Sequence, residues 1–371
     1  MEKGVEKKEI SRRRFLKNAV ITGAAITGIP TVFIPKSRAG WTPQTAVHPN
    51  VDDLRVVGIT DPGMTLSLEP RASWTLQNKL VSSEKVWENM DKLACILAEI
   101  RDPREAWHAI FVKPPRKSWS DTVVAIKTNH ISQQHTRSAV MAKVCHTLTD
   151  TIGVKPTNIH IYDAEDGRGM SKDTPFEGLP DGCRIEDTWG GISTPTIVPA
   201  PWKDSGGESN CLKYLVDGSV DILINIAMCK GHSSHFGRFT MTMKNHFGTF
   251  SPRPGHWVGS HDYLLAINQT PEILGPMDGK TGKVIYPRQQ LCLVDALWAS
   301  KGGPSGRPTH QPNFIAMGVM SPVVDFQIAT KFRGERMGWQ PNMKATRQML
   351  ASFGYSERDL PEGGKIISPA Q

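Results

Sequence analysis

The chain has 371 residues, 39% hydrophobic and 22% charged, an ordinary balance for a soluble globular protein with room for a large core. Its net charge of +8 is concentrated at one end: residues 1–40 hold nine Lys/Arg and three Asp/Glu, and the remainder holds 35 and 33. That excludes a polyanion-binding surface over the rest of the chain, so no nucleic-acid partner is expected. The six cysteines are scattered without a CxxC pair, which excludes a local zinc knuckle, a c-type haem attachment and a ferredoxin-type cluster.

Ser11-Arg12-Arg13-Arg14-Phe15-Leu16-Lys17 is a complete twin-arginine export motif after a polar, basic segment. The apolar stretch Ala19–Ile34 contains Gly23, Gly28 and Pro30 and is shorter than the ~20 apolar residues of a membrane span. Lys36-Ser37-Arg38-Ala39 then supplies a basic, small-residue cleavage region. The expectation is a signal peptide over residues 1–39, the twin-arginine translocase as partner, and a periplasmic or other extracytoplasmic mature protein without a transmembrane segment. A cytoplasmic basic helix and retention of the segment as an anchor are the alternatives. Folded cargo of this route often acquires its cofactor before export.

Residues 40–118 read as a wrapping segment followed by helices. No period holds across residues 40–80. Val86, Met90, Leu93, Leu97 and Ile100 then mark one stripe of a helix starting near Ser82 or Ser83. Asp102-Pro103 opens a shorter helix that stops at Pro114-Pro115. The expected α/β domain spans 119–340. Strand Thr122–Lys127, a helix from about Thr136 to Ile152 and strand Asn158–Tyr162 form a parallel crossover unit. The loop Asp163–Gly169 is polar and glycine-containing without a nucleotide-binding fingerprint, and 170–210 is an excursion with small strands of its own. Later strands are expected at Gln290–Val294 and Phe314–Val319, and a helix or strand at Pro322–Lys331. Residues 341–371 are read as a C-terminal helix, Met343–Phe353, and a tail.

The chemistry concentrates between Asp221 and Tyr263, which holds five of the twelve histidines. The apolar run Ile222–Ile226 is a strand ending in Cys229-Lys230-Gly231-His232, and ligands of open α/β sheets bind at such strand ends. Histidine serves near neutral pH as acid, base or neutral metal ligand, and a buried lysine can become a nucleophile or imine former. His232, Lys244 and His256 are therefore the candidate catalytic residues, with His232 and His256 also candidate metal ligands. Lys127, Asn129, Lys230, Asn245 and Asp295 are candidate binders of a small anionic ligand. If Thr240–Lys244 is extended, Thr240, Thr242 and Lys244 share one face and Asn245 turns away. His235, His246 and His261 have weaker claims, and the other histidines, His130 and His135 among them, read as surface or structural residues.

Together AIKTN at Ala125–Asn129, DILINIAMCKGH at Asp221–His232, TMTMKNHFG at Thr240–Gly248, His256, LVDAL at Leu293–Leu297, GGPSG at Gly302–Gly306 and SPVVD at Ser321–Asp325 resemble the family called domain of unknown function 362. The resemblance covers about residues 120–335. Many members of that family carry an added ferredoxin domain, for which this chain has no cysteine motif. A looser similarity runs to the N-terminal domain of nickel-pincer lactate racemases. It implies that His232, Lys244 and His256 stand where that enzyme has acid/base histidines, a nickel ligand and the lysine tethering a nickel-bearing nicotinate.

The architecture expected is α/β: a mainly parallel sheet with helices on both faces and long loop excursions around a strand-end site. Two functions stay open. One is an enzyme on a small anionic substrate, with a transition metal or metal-containing cofactor. The other is a non-catalytic metal-, cofactor- or anion-binding maturation factor for another exported protein.

Overall fold

In the computed structural model the described residues are 48–66, 69–163, 176–188, 191–256, 260–361 and 366. The expected signal peptide, and the glycine loop beyond Asp163, lie outside them. Seven strands form one sheet: β1 Val57–Thr60, β2 Val124–Lys127, β3 Ile159–Asp163, β4 Arg184–Asp187, β5 Ile222–Met228, β6 Gln289–Ala296 and β7 Phe314–Gly318. Their spatial order is β1-β7-β6-β5-β2-β3-β4. From β6 to β4 every pairing is parallel, while β7 runs antiparallel to both of its neighbours. The sheet is thus mainly parallel and open, as expected for an α/β protein.

Successive strand residues face opposite sides of a pleated sheet, and the burial follows that period. Val124, Ile126, Ile222, Ile224, Ile226, Leu291 and Leu293 join one apolar cluster. Four helices supply its other half: α1 Trp74–Leu80, α2 Ser83–Ala98, α3 Pro103–Ile110 and α4 Ser138–His146. The alternate residues Cys292, Val294, Ala296 and Ala316 point into a second cluster on the opposite face, and Ala125 and Leu223 join a third. There the partners include α5 Thr242–Asn245, α6 Ser260–Ile267, α7 Ser321–Gln327 and α8 Met343–Ala351. Ser82 and Asp102 cap α2 and α3 through their side chains, as those residue types do at helix starts. Helix α4 continues as a π-helical segment Thr147–Ile152 and stops at Gly153, whose φ of 91° is left-handed.

Three expectations need correction. Residues 48–80, read as wrapping chain, contain β1 and α1. Strand β1 is only four residues long and includes Gly58, so it has no readable period. The excursion after residue 170 contributes β4 to the main sheet as well as an antiparallel ribbon, Ser193–Val198 with Gly207–Leu212. Thr242–Asn245 is a single helical turn, so the condition under which Thr240, Thr242 and Lys244 would share one strand face is not met. All six cysteines are free thiols, and no helix among the described residues is long and apolar enough to cross a membrane.

Candidate functional site

The parallel strands β2, β3, β5 and β6 all point their carboxyl ends to one edge of the sheet, where β5 and β6 run on past the end of β2. Lys127 closes β2, in register with Asn225 of β5, which is itself in register with Cys292 of β6. Asn225 interrupts an otherwise apolar, fully buried strand. Buried polar groups persist only when hydrogen-bonded, and Asn225 meets that demand. Its Nδ2 donates to the Thr242 carbonyl at 2.7 Å and to Gln289 Oε1 at 3.2 Å, and its Oδ1 accepts from Asn245 Nδ2 at 2.9 Å.

Helix α5 is fixed from several sides. Asp325, on α7, accepts from the Thr242 amide at 2.7 Å, the Thr242 hydroxyl at 2.6 Å and the Met243 amide at 2.9 Å. A carboxylate at the start of a helical turn satisfies its free amides, and here a segment distant in sequence supplies it. Burial pushes the Asp325 carboxyl up to about 6 despite those three bonds, which pull the other way. Asn268 Nδ2 holds the Met243 carbonyl at 3.1 Å.

This turn places Asn245 at the hub and Lys244 beside it. Asn245 is buried and does not turn away: its Oδ1 accepts from Asn129 Nδ2 at 3.0 Å and from Lys127 Nζ at 3.4 Å. Lys230 Nζ donates to Asn129 Oδ1 at 2.6 Å. Lys127 Nζ forms a buried ion pair with Asp163 at 2.6 Å. Burial pulls the Lys127 ammonium down and Asp163 pulls back. Gly248 makes room for that pair: at φ 125°, a Cβ there would meet Asp163 Oδ1 at 2.4 Å.

Lys244 is different. The residue is buried, 6% exposed; its Nζ lies 3.5 Å from the centroid of the Phe247 ring and 4.8 Å from that of Phe236, and has no carboxylate or hydrogen-bond partner among the described residues. Burial, followed by the charges of Lys230 and Lys127, lowers its amine well below the ordinary lysine value. The imidazoles of His232 and His256 stack near this amine with ring centroids 6.4 Å apart. Each also meets one of the same phenylalanines edge-on: His232 with Phe236 at 4.8 Å and His256 with Phe247 at 5.5 Å. Burial first, then Lys244, drives His232 down to about 3. His256 is at the exposed rim and is lowered by the same two causes.

The structure therefore brings together His232, Lys244 and His256 as one group, with Lys127, Asn129, Lys230 and Asn245 as the polar floor beside it. Asp295 has another job. It holds the Arg137 amide at 2.9 Å and the Arg137 guanidinium at 3.5 Å, fully buried, and so anchors the start of α4. His246 is also buried in a structural bond network, with Gln289 Oε1 at 2.7 Å and Thr249 Oγ1 at 3.0 Å. As metal ligands, His232 and His256 are short of the three protein donors of a catalytic zinc site. Among the described residues no group of three His, Cys, Asp or Glu could hold a metal ion. The further groups acting on both rings are His235 and the Lys244 amine, and an amine suits a carbonyl or an anion better than a metal.

Sequence reasoning missed Asp163 and the pair His130 and His135. Those two histidines are buried, in edge-on contact at 4.2 Å, and His135 is driven down to about 2 by burial, then by His130, Lys230 and Arg137. The available signal was a histidine three residues beyond a strand-ending lysine. No protein-family model, curated protein or solved structure matches this chain.

Proposed function

We propose that the protein is an enzyme acting on a small anionic carbonyl compound through the amine of Lys244. The observation behind this reading is the amine of the buried Lys244, set over Phe247 without a counter-ion among the described residues. An ammonium in that position loses hydration without gaining a salt bridge, so the neutral, nucleophilic amine is favoured. The neutral nitrogen adds to the carbonyl carbon. The His232 imidazole, unprotonated at neutral pH, takes a proton from nitrogen and passes it to oxygen. With one further proton from solvent, water leaves and a protonated imine remains on Lys244. That cation withdraws electrons from the neighbouring carbon, where His256 at the rim is placed for proton transfer. Membership of the domain of unknown function 362 family and export by the twin-arginine route, with a periplasmic location, belong to the same proposal. Their support is the sequence motifs alone.

Borohydride reduction in the presence of pyruvate or glyoxylate tests it. The expected result is a reduced adduct mapped by peptide mass spectrometry to Lys244 and absent from Lys244→Met. Labelling spread over surface lysines, with Lys244 unmodified, would leave the protein as a non-catalytic binding factor.

A further inference from the structure

A cleft of about 380 Å³ shares His232 with this site but is not lined by Lys244. Its lining includes Arg238, Lys301, Arg333 and Trp339 alongside His232, and no acidic residue. Among the described residues none of the three cations has a carboxylate partner. Arg333 is the buried one, 2% exposed. It donates to the carbonyls of Ser300 at 3.0 Å and Lys301 at 3.2 Å, both neutral, and its guanidinium lies over the Trp339 ring at 5.0 Å. A buried cation held by neutral groups leaves its charge uncompensated, and an incoming anion supplies the compensation.

The neighbouring backbone is built to hold the other two charges there. The turn carrying Lys301 docks on the end of the β5 segment through the Gly231 amide and Gly302 carbonyl at 3.0 Å. A Cβ on Gly231 would meet the Lys301 carbonyl oxygen at 2.1 Å, so the approach requires glycine. Arg238 has φ 68°, a left-handed conformation unfavourable for a residue that carries a side chain. Glycine would relieve that strain, and an arginine stands there instead.

We propose that this cleft is a phosphate-binding subsite, seating the phosphate of a small phosphomonoester whose carbonyl end faces Lys244. This rests on the Lys244 reading for the second half of the ligand. The shared wall is His232, which lines the cleft and stacks with His256. Three cations from three separate segments match a dianion better than a single carboxylate does. The substrate class is thereby narrowed to small phosphorylated aldehydes or ketones.

The test is calorimetric titration of the full-length protein with inorganic phosphate, repeated with succinate, at low salt. Arg238 and Lys301 are exposed, so Arg238→Ala/Lys301→Ala should fold normally. Wild type should bind phosphate more tightly than succinate, and the double variant should lose about tenfold or more. Lys244→Met should retain phosphate affinity within about twofold, because its amine lies outside the subsite. Equal affinity in wild type and the double variant, a preference for succinate, or loss in Lys244→Met alone would each overturn the subsite. Phosphate binding that persists where borohydride trapping fails would sink the Lys244 chemistry and leave the subsite standing.

Discussion

Lys244 Nζ stands 3.5 Å over the ring of Phe247, and no carboxylate pairs with it among the described residues. The ion pair next to it shows the contrast. Lys127 is fully buried and meets Asp163 at 2.6 Å. Two lysines on one sheet edge thus have opposite solutions to burial, one neutralised by a partner and one left to shed its proton. The first is structure and the second is the proposed chemistry.

Lys244→Met should stabilise the protein. In the native state the Lys244 amine is depressed, so the unfolded chain binds more protons and stability rises with pH from the native value up to the ordinary 10.5. At pH 7 the lysine is therefore a cost, and methionine, of similar length, should raise stability by about 0.5–2 kcal/mol. Urea unfolding at pH 7 and pH 10 checks it: the variant's advantage should shrink at the higher pH.

Asp163→Ala should do the reverse. It leaves the Lys127 ammonium buried without its partner and also frees the His130 amide that Asp163 holds at 2.6 Å. The expected loss is about 3–5 kcal/mol, with an unchanged denaturant slope. Lys127→Met combined with Asp163→Leu should cost less than Asp163→Ala alone, since no charge is then stranded.

How far the sequence reveals this site depends on how local each determinant is. Strands β2, β3, β5, β6 and β7 are legible as short apolar runs, because buried parallel strands are apolar on both faces. Strand β4, Arg184–Asp187, is a partly exposed edge with a polar sequence, and nothing in four such residues distinguishes it from a loop. The alternating threonines before Lys244 favour a strand by local propensity, yet Asp325, from far along the chain, caps the segment into a helical turn. His232, Lys244 and His256 were readable as a set because polar residues cluster after a buried strand. Asp295 lies at a strand end in the same way, but its partner, the start of α4, is fixed only by the tertiary fold.

Asp325 should give a pH signature of its own. Its carboxyl is raised from 3.8 to about 6, so its contribution to stability is fully present below pH 4 and is lost as pH rises through 6. Asp325→Asn cannot titrate and should remove that segment of the stability profile. Thermal midpoints between pH 4 and 7 check this, with the wild-type curve bending downward through the window and the variant flat in comparison.

His232 should remain neutral across the range where a free imidazole titrates. Its value of about 3, set by burial and the nearby Lys244, means that its ring resonances stay constant between pH 5 and 8. Proton NMR with His232→Ala as the assignment control measures it. A titration near 6.5 would show that burial and Lys244 do not hold the ring down.

The central claim is the state of the Lys244 amine, and NMR titration of side-chain-labelled lysine measures it directly, with Lys244→Met identifying the resonance. The structure predicts that Lys244 titrates well below 10.5, apart from the bulk of the lysines, and that its value rises toward normal when Phe247→Ala opens the site to water. A Lys244 resonance titrating at or above 10.5 in the wild-type protein would contradict the account.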